Sequence, residues 1–167
     1  MVATFLHIAQ KPIQGRVILC CVCDEENAGA QGSALLSRLH IEGNYHIFGE
    51  PTGLKVIIAE KGFLRLKIRI LDKEAHAAFP QQGDNAIVHM AHAIDALSRL
   101  TFIGNHSLLS PASISIGTIQ GGNKINVVAG WCEVFIDVRF LPSQKKSEII
   151  QKIQKCIGEK FDIQEVS

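Results

Sequence analysis

The sequence carries little net charge, few aromatic residues and no long apolar run. Its 17 lysines and arginines nearly balance 16 aspartates and glutamates, which gives a formal net charge of +1. So weak a field does not concentrate nucleic acid or anionic lipid at a protein surface. Aromatic residues make up 6% of the chain and do not alternate with basic ones, which argues against nucleic-acid binding. No apolar stretch approaches the roughly 20 residues that a membrane span needs, so we expect neither partner.

Two further absences concern the cellular compartment. The first nine residues lack the basic segment that opens a secretory signal peptide, so we expect no such peptide. The cysteines number five, and Cys20, Cys21 and Cys23 lie within one apolar segment. In a strand Cys20 would face away from the other two, which suits neither a disulfide nor a metal site. We therefore expect buried free thiols in a reducing compartment and a cytoplasmic protein.

The first 60 residues predict an α/β layer. Three apolar segments predict strands and two other segments predict helices: strands at 16–23, 45–48 and 54–59, helices at 2–9 and 28–39. Continuous apolar runs are typical of parallel strands that are covered on both faces. We therefore expect residues 1–60 to be part of an α/β domain with parallel pairing.

From Lys61 onward the pattern changes to alternation. Apolar residues at 64, 66, 68 and 70 alternate with Arg65, Lys67 and Arg69, and 131–140 alternates in the same way, with Glu133 and Asp137 on its polar face. Such strands are antiparallel with one wet face, where we expect these arginines to pair with these acids.

The remaining elements of this half complete a pattern. Strands are predicted at 113–119 and 161–166, and helices at 84–100 and 147–158. The first helix is capped by Asp84 and presents an apolar stripe of Ile87, Met90, Ala91, Ile94 and Leu97. The order β-α-β-β-α-β predicts an α+β ferredoxin-like domain over residues 61–167.

Carboxylates follow two of the predicted parallel strands. Asp24, Glu25 and Glu26 come directly after the first strand, and Glu50 follows the second. Ligands bind beyond the carboxyl ends of parallel strands, so these side chains should converge. One glutamate could then bind a metal ion while its neighbour acts as general base on a metal-bound water. On spacing alone, a solvated acidic loop and a turn glutamate explain these residues at least as well.

Histidines offer weaker signals. His89, His92 and Asp95 lie on one side of a predicted helix and could form a metal face, but a polar outer helix face is the simpler interpretation. His76 taken alone could be an ordinary loop histidine.

An ordered set of short motifs gives a more specific signal. They are Cys23-Asp-Glu-Glu26, Gly49-Glu-Pro-Thr52, Lys61-Gly62, Ala75-His-Ala-Ala-Phe-Pro80, Gly83 with Asn85-Ala-Ile87, Gly121-Gly122, Asn126-Val-Val128 and Asp137-Val-Arg-Phe140. In this order and spacing the chain resembles the family of acetylornithine deacetylases, succinyl-diaminopimelate desuccinylases and related aminoacylase-type or carboxypeptidase-type zinc enzymes. The resemblance covers nearly the whole chain.

The resemblance implies roles for the acidic residues. Glu25 corresponds to the general base that activates a water bridging two zinc ions. Glu26 corresponds to a ligand of one zinc and Glu50 to a ligand of the other. Cobalt or manganese would also suit such ligands.

The resemblance also implies roles in a smaller lid domain through which the family forms homodimers. His76 corresponds to a histidine that reaches the partner subunit's active site and stabilises the oxyanion. Asn126 and Arg139 correspond to substrate-binding residues, with the arginine holding a carboxylate.

The chain departs from the family pattern in its metal ligands. The family also uses an upstream His-x-Asp, an upstream bridging aspartate and a carboxyl-terminal histidine, and no His-x-Asp occurs in the 167 residues. Glu26 and Glu50 then supply one ligand to each metal, whereas stable zinc sites have three or four. We expect this half-site to bind zinc weakly and the chain alone not to hydrolyse amides.

Two functional interpretations follow. The first is a cytoplasmic, metal-dependent hydrolase of N-acyl amino acids or small peptides, a metallopeptidase-type enzyme of amino-acid biosynthesis, present as part of its catalytic domain plus its lid. The second is a non-catalytic dimerisation module that carries a remnant of a catalytic domain.

Overall fold

The computed structural model describes residues 1–23 and 31–166, and the chain divides into two compact units. The first unit runs from Met1 to Val56 and the second begins at Ile57. The domain bounds predicted from the sequence, 1–60 and 61–167, stay a prediction.

In its described residues the first unit contains two short helices, α1 (Val2–Ala9) and α2 (Ser33–Arg38). The helix predicted at 2–9 is confirmed, and α2 lies within the helix predicted at 28–39, of which residues 28–30 fall outside the described part. Neither α1 nor α2 buries a residue. The parallel strands predicted at 16–23, 45–48 and 54–59 are wrong, because residues 1–23 and 31–61 contain no strand.

In the part of the chain that the structure describes, the predicted parallel strands are absent because these apolar segments have no neighbouring strands to pair with. A strand is stable when neighbouring strands satisfy its backbone groups, and no ladder connects these segments within the described residues. Leu54, the first residue of the third predicted strand, has φ 63°, which lies outside the β region. Cys20, Cys21 and Cys23 are free but exposed, so the prediction that they are buried is also wrong.

The second unit is a mixed α/β structure. In chain order its elements are β1 (Gly62–Leu71), β2 (Ala75–His76), a 3₁₀ turn (Pro80–Gln82), α3 (Ala86–Ser98), β3 (Ser113–Gly121), β4 (Val127–Val128), β5 (Trp131–Phe140), α4 (Lys146–Ile157) and β6 (Asp162–Val166). Four strands form one antiparallel sheet in the order β3-β5-β1-β6. The short strands β2 and β4 pair with each other in an antiparallel ribbon.

The two central strands carry the core on one face of the sheet. Leu64, Leu66, Ile68 and Ile70 of β1 are at most 1% exposed, and they pair in register with the buried residues of β5. On the opposite face Arg65 Nε lies 3.7 Å from Asp137 Oδ2, and Arg69 Nε lies 3.9 Å from Glu133 Oε2. The predicted alternation and the predicted charge pairs are both confirmed.

Both helices of the second unit pack against the core. Ile149 and Ile153 of α4 are buried, as the sequence predicts. In α3 the buried residues are Ala86, Met90, Ala93 and Leu97, so the predicted stripe is only partly right: Ile87 and Ala91 are exposed. The helix cap is Asn85 instead of Asp84, because Asn85 Oδ1 accepts hydrogen bonds from the backbone N–H groups of Ile87 and Val88.

In the parts of the chain that the structure describes, every helix is too short or too polar to span a lipid bilayer.

Candidate functional site

The β2–β4 ribbon brings two of the predicted site residues together. His76 of β2 pairs with Val127 of β4, and the Ala77 N–H donates to the carbonyl oxygen of Asn126 at 3.0 Å. Both His76 and Asn126 are exposed. The ribbon therefore brings the backbones of His76 and Asn126 close together at one edge of the second unit, and both side chains are exposed there.

The orientation of His76 fixes which ring nitrogen can act on a ligand. The Ala78 N–H donates to His76 Nδ1 at 3.1 Å. In a neutral imidazole one nitrogen accepts and the other carries the proton, so the proton lies on Nε2. The exposed ring thus offers an N–H donor, the group needed to stabilise a negatively charged oxygen.

Close backbone packing holds the segment that leads into and out of β2. The Phe79 N–H donates to the His76 carbonyl at 2.8 Å, and the Asp84 N–H donates to the Lys73 carbonyl at 2.8 Å. A Cβ on Gly83 would lie 2.9 Å from both the Cβ of Ala75 and the Lys73 carbonyl oxygen. Only glycine lets the chain pass β2 this closely before α3 begins.

A side-chain network ties the base of the ribbon to the main sheet. The indole N–H of Trp131 donates to Asn123 Oδ1 at 3.0 Å, and Asn123 Nδ2 donates to Glu74 Oε1 at 3.0 Å. These bonds connect the start of β5, the turn after β3 and the segment before β2. Beside β4, the same turn and the start of α3 line an open cavity of about 400 Å³, a volume that suits a small molecule.

Arg139 lies elsewhere on the second unit. It is eight residues beyond Trp131 in β5, or about 26 Å along an extended strand, at the end of β5 remote from β4. Its Nε donates to Asp137 Oδ1 at 2.6 Å, and its guanidinium carbon lies 5.7 Å from the Phe63 ring centre. The structure therefore places His76 and Asn126 on adjoining segments of the ribbon and Arg139 on the open face of the sheet, remote from both.

The predicted metal ligands do not form a described site. Glu25 and Glu26, with Asp24, lie outside the described residues, and Glu50 is exposed. Within residues 1–23 and 31–166, the one grouping of three or more potential metal-ligating side chains does not include Glu50. Among the described residues Glu50 therefore belongs to no set of three ligands, so this part of the chain does not complete a zinc site by itself.

That grouping is a charged cluster that the sequence did not predict. His89 Nε2 lies 2.6 Å from Asp84 Oδ1, and Lys160 Nζ lies 2.7 Å from an oxygen of each of Asp72 and Asp84. Hydrogen bonds from Lys160 and then from His89 lower the pKa of Asp84 to about 2. Hydrogen bonds to Asp72 and Asp84 raise the pKa of Lys160.

Sequence reasoning missed this cluster because its members come from separate segments. Helical spacing grouped His89 with His92 and Asp95. In the structure Asp95 accepts two hydrogen bonds from Arg99 one turn further on, and His89 turns toward the helix start. The only local signal was the position of Asp84 five residues before His89.

Comparison with known protein families shows the family to which the chain belongs. The profile of the M20 peptidase dimerisation domain, described as "Peptidase dimerisation domain", matches residues 58–164. The chain belongs to the M20 peptidase family. This confirms the family resemblance that the ordered motifs gave.

Individual relatives of this M20 chain are longer. It is 28% identical over 151 residues to the acetylornithine deacetylase of Pasteurella multocida, covering 86% of this chain and 39% of the relative. It is 30% identical over 158 residues to that of Edwardsiella ictaluri, covering 91% and 40%. The chain thus spans about 40% of the length of these relatives.

A solved structure shares the fold. The aminobenzoyl-glutamate utilization protein from Klebsiella pneumoniae superposes with a TM-score of 0.53 at 18% identity, over 64% of this chain and 28% of that one. At this identity the likeness shows the fold alone.

Proposed function

We propose that the chain is part of a metal-dependent hydrolase that releases acyl groups from N-acyl amino acids or cleaves small peptides. In this proposal the second unit is its ferredoxin-like lid and dimerisation domain. The observation that carries the proposal is the match of residues 58–164 to the peptidase dimerisation domain, and the exposure of His76 on the β2–β4 ribbon supports it. The deacetylase names of the relatives support the reaction class.

In this proposal the lid residues take the roles that the family resemblance implies. The Nε2–H of His76 donates to the oxyanion that forms when water attacks the amide carbon, in the active site of the partner subunit. Asn126 binds the substrate beside it. Arg139 offers a planar fork of N–H donors to a substrate carboxylate, in exchange for its present bond to Asp137.

Homodimer formation is the second part of the proposal. The α3 helix exposes Ile87 and Val88, which are 41% and 50% accessible although apolar. A second copy that covered this face would remove these side chains from water. Sedimentation velocity should then show a species of twice the 18.3 kDa chain mass; a monomer at high micromolar concentration would contradict it.

The metal chemistry belongs to the whole enzyme. We propose that Glu26 and Glu50 each hold one of two ions, zinc or in its place cobalt or manganese, that Glu25 is the general base, and that the enzyme is cytoplasmic. Because two ligands do not complete two sites, the chain alone should not hydrolyse N-acetylornithine in added zinc or cobalt. Hydrolysis by the pure chain would refute this expectation.

A chimera tests the role of His76 directly. Residues 61–167 would replace the matching segment of the Edwardsiella ictaluri deacetylase, and kcat would be measured with and without His76→Ala. Loss of one oxyanion donor lowers kcat by about a hundredfold or more, with a smaller effect on KM. His106→Ala, an exposed histidine on a loop, is the matched control. An active chimera that is indifferent to His76→Ala would exclude the proposed role.

A non-catalytic dimerisation module is the second candidate, and one observation favours it. All buried apolar side chains of the described residues lie between Leu64 and Phe161, while Tyr45, Ile47 and Phe48 are 92%, 86% and 82% exposed. The flanking coding sequence separates the candidates. A His-x-Asp upstream and a histidine downstream in the same frame support the enzyme; flanking stop codons support the module.

A further inference from the structure

The carboxylate of Asp72, just after β1, is buried and only partly satisfied. Its side chain is 4% exposed, and its Oδ1 lies 2.7 Å from Lys160 Nζ. Its Oδ2 is also buried, but among the described residues this oxygen has no hydrogen-bond partner. A buried anionic oxygen without a partner is costly. It points toward His89, whose Nε2 lies 4.0 Å away.

Asp84 completes a set of three donor atoms around this space. One ligand atom from each of Asp72, Asp84 and His89 lies within 4.8 Å of the other two. The residues come from the end of β1, the start of α3 and the first turns of that helix. One imidazole and two carboxylates are a donor set that first-row divalent cations, zinc among them, accept readily.

The distances between these ligand atoms are close to those expected around a tetrahedrally coordinated ion. Bonds of about 2.1 Å place neighbouring ligand atoms about 3.4 Å apart. The His89 Nε2–Asp72 Oδ2 distance of 4.0 Å would have to shorten, and the His89 Nε2–Asp84 Oδ1 distance of 2.6 Å would have to lengthen. Both changes are below about 1 Å, and the half-exposed Asp84 side chain has room to move.

Lys160 supplies the positive charge that such an ion would otherwise bring to the two carboxylates. Its ammonium lies 2.7 Å from an oxygen of Asp72 and 2.7 Å from an oxygen of Asp84. The side chain is 44% exposed, so its flexible stem can swing into solvent. A divalent ion would therefore compete with an internal cation for the same two carboxylates.

We propose that Asp72, Asp84 and His89 form a zinc-class divalent-cation site in which Lys160 is the resident competitor. Solvent takes the fourth position. The bound ion links the end of β1 to the start of α3. Since His76 follows Asp72 by only four residues, the ion also fixes the segment that positions the ribbon histidine. This site is independent of the proposed hydrolase function and does not use Glu26 or Glu50.

Calorimetric titration of ZnCl₂ into the metal-free full chain tests the site. Glu26→Gln and Glu50→Gln in the same chain remove the family half-site, and one zinc per chain should remain. Asp72→Asn removes a ligand without changing side-chain shape and should weaken zinc binding about a hundredfold. Lys160→Met removes the competitor and should tighten it about tenfold. His92→Gln, one turn further along α3, is the matched control and should have no effect.

A local readout separates this site from zinc bound elsewhere. The imidazole nitrogen signals of His89, identified by their loss in His89→Gln, should shift on zinc addition. Unchanged zinc affinity in Asp72→Asn, or an unmoved His89 signal during saturation, would overturn the proposal. Lys160→Met removes no ligand, so it decides the case if Asp72→Asn fails to fold. Absence of zinc binding to Lys160→Met would show that the cluster is an ion-pair network only.

Discussion

The unfolding enthalpy of this chain should come almost entirely from its second unit. The buried apolar side chains of the described residues all lie between Leu64 and Phe161. The helices α1 and α2 bury no residue. Deletion of residues 1–60 should therefore remove little of the packing that melts cooperatively.

The expected magnitude follows from chain length. Cooperative unfolding near 60 °C absorbs about 0.7 kcal/mol per residue. Residues 61–167 then account for about 75 kcal/mol, whereas cooperative melting of all 167 residues would absorb about 117 kcal/mol. The difference of about 40 kcal/mol is large enough to measure.

Differential scanning calorimetry of the full chain and of a chain beginning at Lys61 checks this prediction. Both should give one transition of about 75 kcal/mol with equal calorimetric and van't Hoff enthalpies. If the full chain absorbed about 117 kcal/mol in one transition, residues 1–60 would belong to the cooperative core. If the shorter chain showed no transition, the second unit would not fold alone.

Further predictions concern single residues of the second unit. Ile68→Ala should lower the free energy of unfolding, measured in urea, by about 2–5 kcal/mol. The control Lys67→Ala, on the opposite face of β1, should lower it by less than about 0.5 kcal/mol. Equal losses in the two variants would contradict the burial pattern. Asn85→Ala should lower the free energy of unfolding by about 1 kcal/mol because the cap of α3 is lost. Asn85→Asp should retain most of the wild-type stability, since aspartate can also cap a helix. An Asn85→Ala variant as stable as the wild type would contradict the role of Asn85 as the cap. Burial raises the pKa of the Cys132 thiol, which keeps it protonated to higher pH. In the native state Cys132 should therefore react with a disulfide reagent far more slowly than exposed Cys20. Equal rates would show that the β5 core opens.

The antiparallel sheet could be predicted because its pattern carries two kinds of information. In β1 and β5 the alternation marks the length of each strand and also the face that each side chain occupies. A one-residue slip would place Arg65 in the core and Leu66 in water, so the pattern excludes every shift by an odd number of residues. The strand bounds Trp131–Phe140 agree with the prediction residue for residue.

The orientation of α3 could not be predicted in the same way. Its sequence offers two overlapping apolar stripes, one through Ile87 and Ala91 and one through Ala86 and Ala93. The choice depends on how the helix is rotated on the sheet, which local hydrophobicity does not specify. The small side chains of Ala86 and Ala93 let the helix approach closely, and they are the buried ones.

The candidate site shows the same limit. Motif order singled out His76 and Asn126, and the ribbon brings their backbones close together. Their roles stay a prediction. The prediction of parallel strands was wrong because an apolar run indicates that a segment needs neighbouring elements to bury it, but does not indicate that those elements are present. The cluster of Asp72, Asp84, His89 and Lys160 joins residues up to 88 positions apart, and no periodicity links such positions.

The indole of Trp131 gives the protein an intrinsic optical probe. The chain contains one tryptophan, so its tryptophan fluorescence comes from Trp131 alone. That indole donates its N–H to Asn123, whose amide in turn holds Glu74 just before β2. A substrate, ion or second subunit that displaces the ribbon would alter this bond and shift the emission, so binding at His76 can be followed in unlabelled protein.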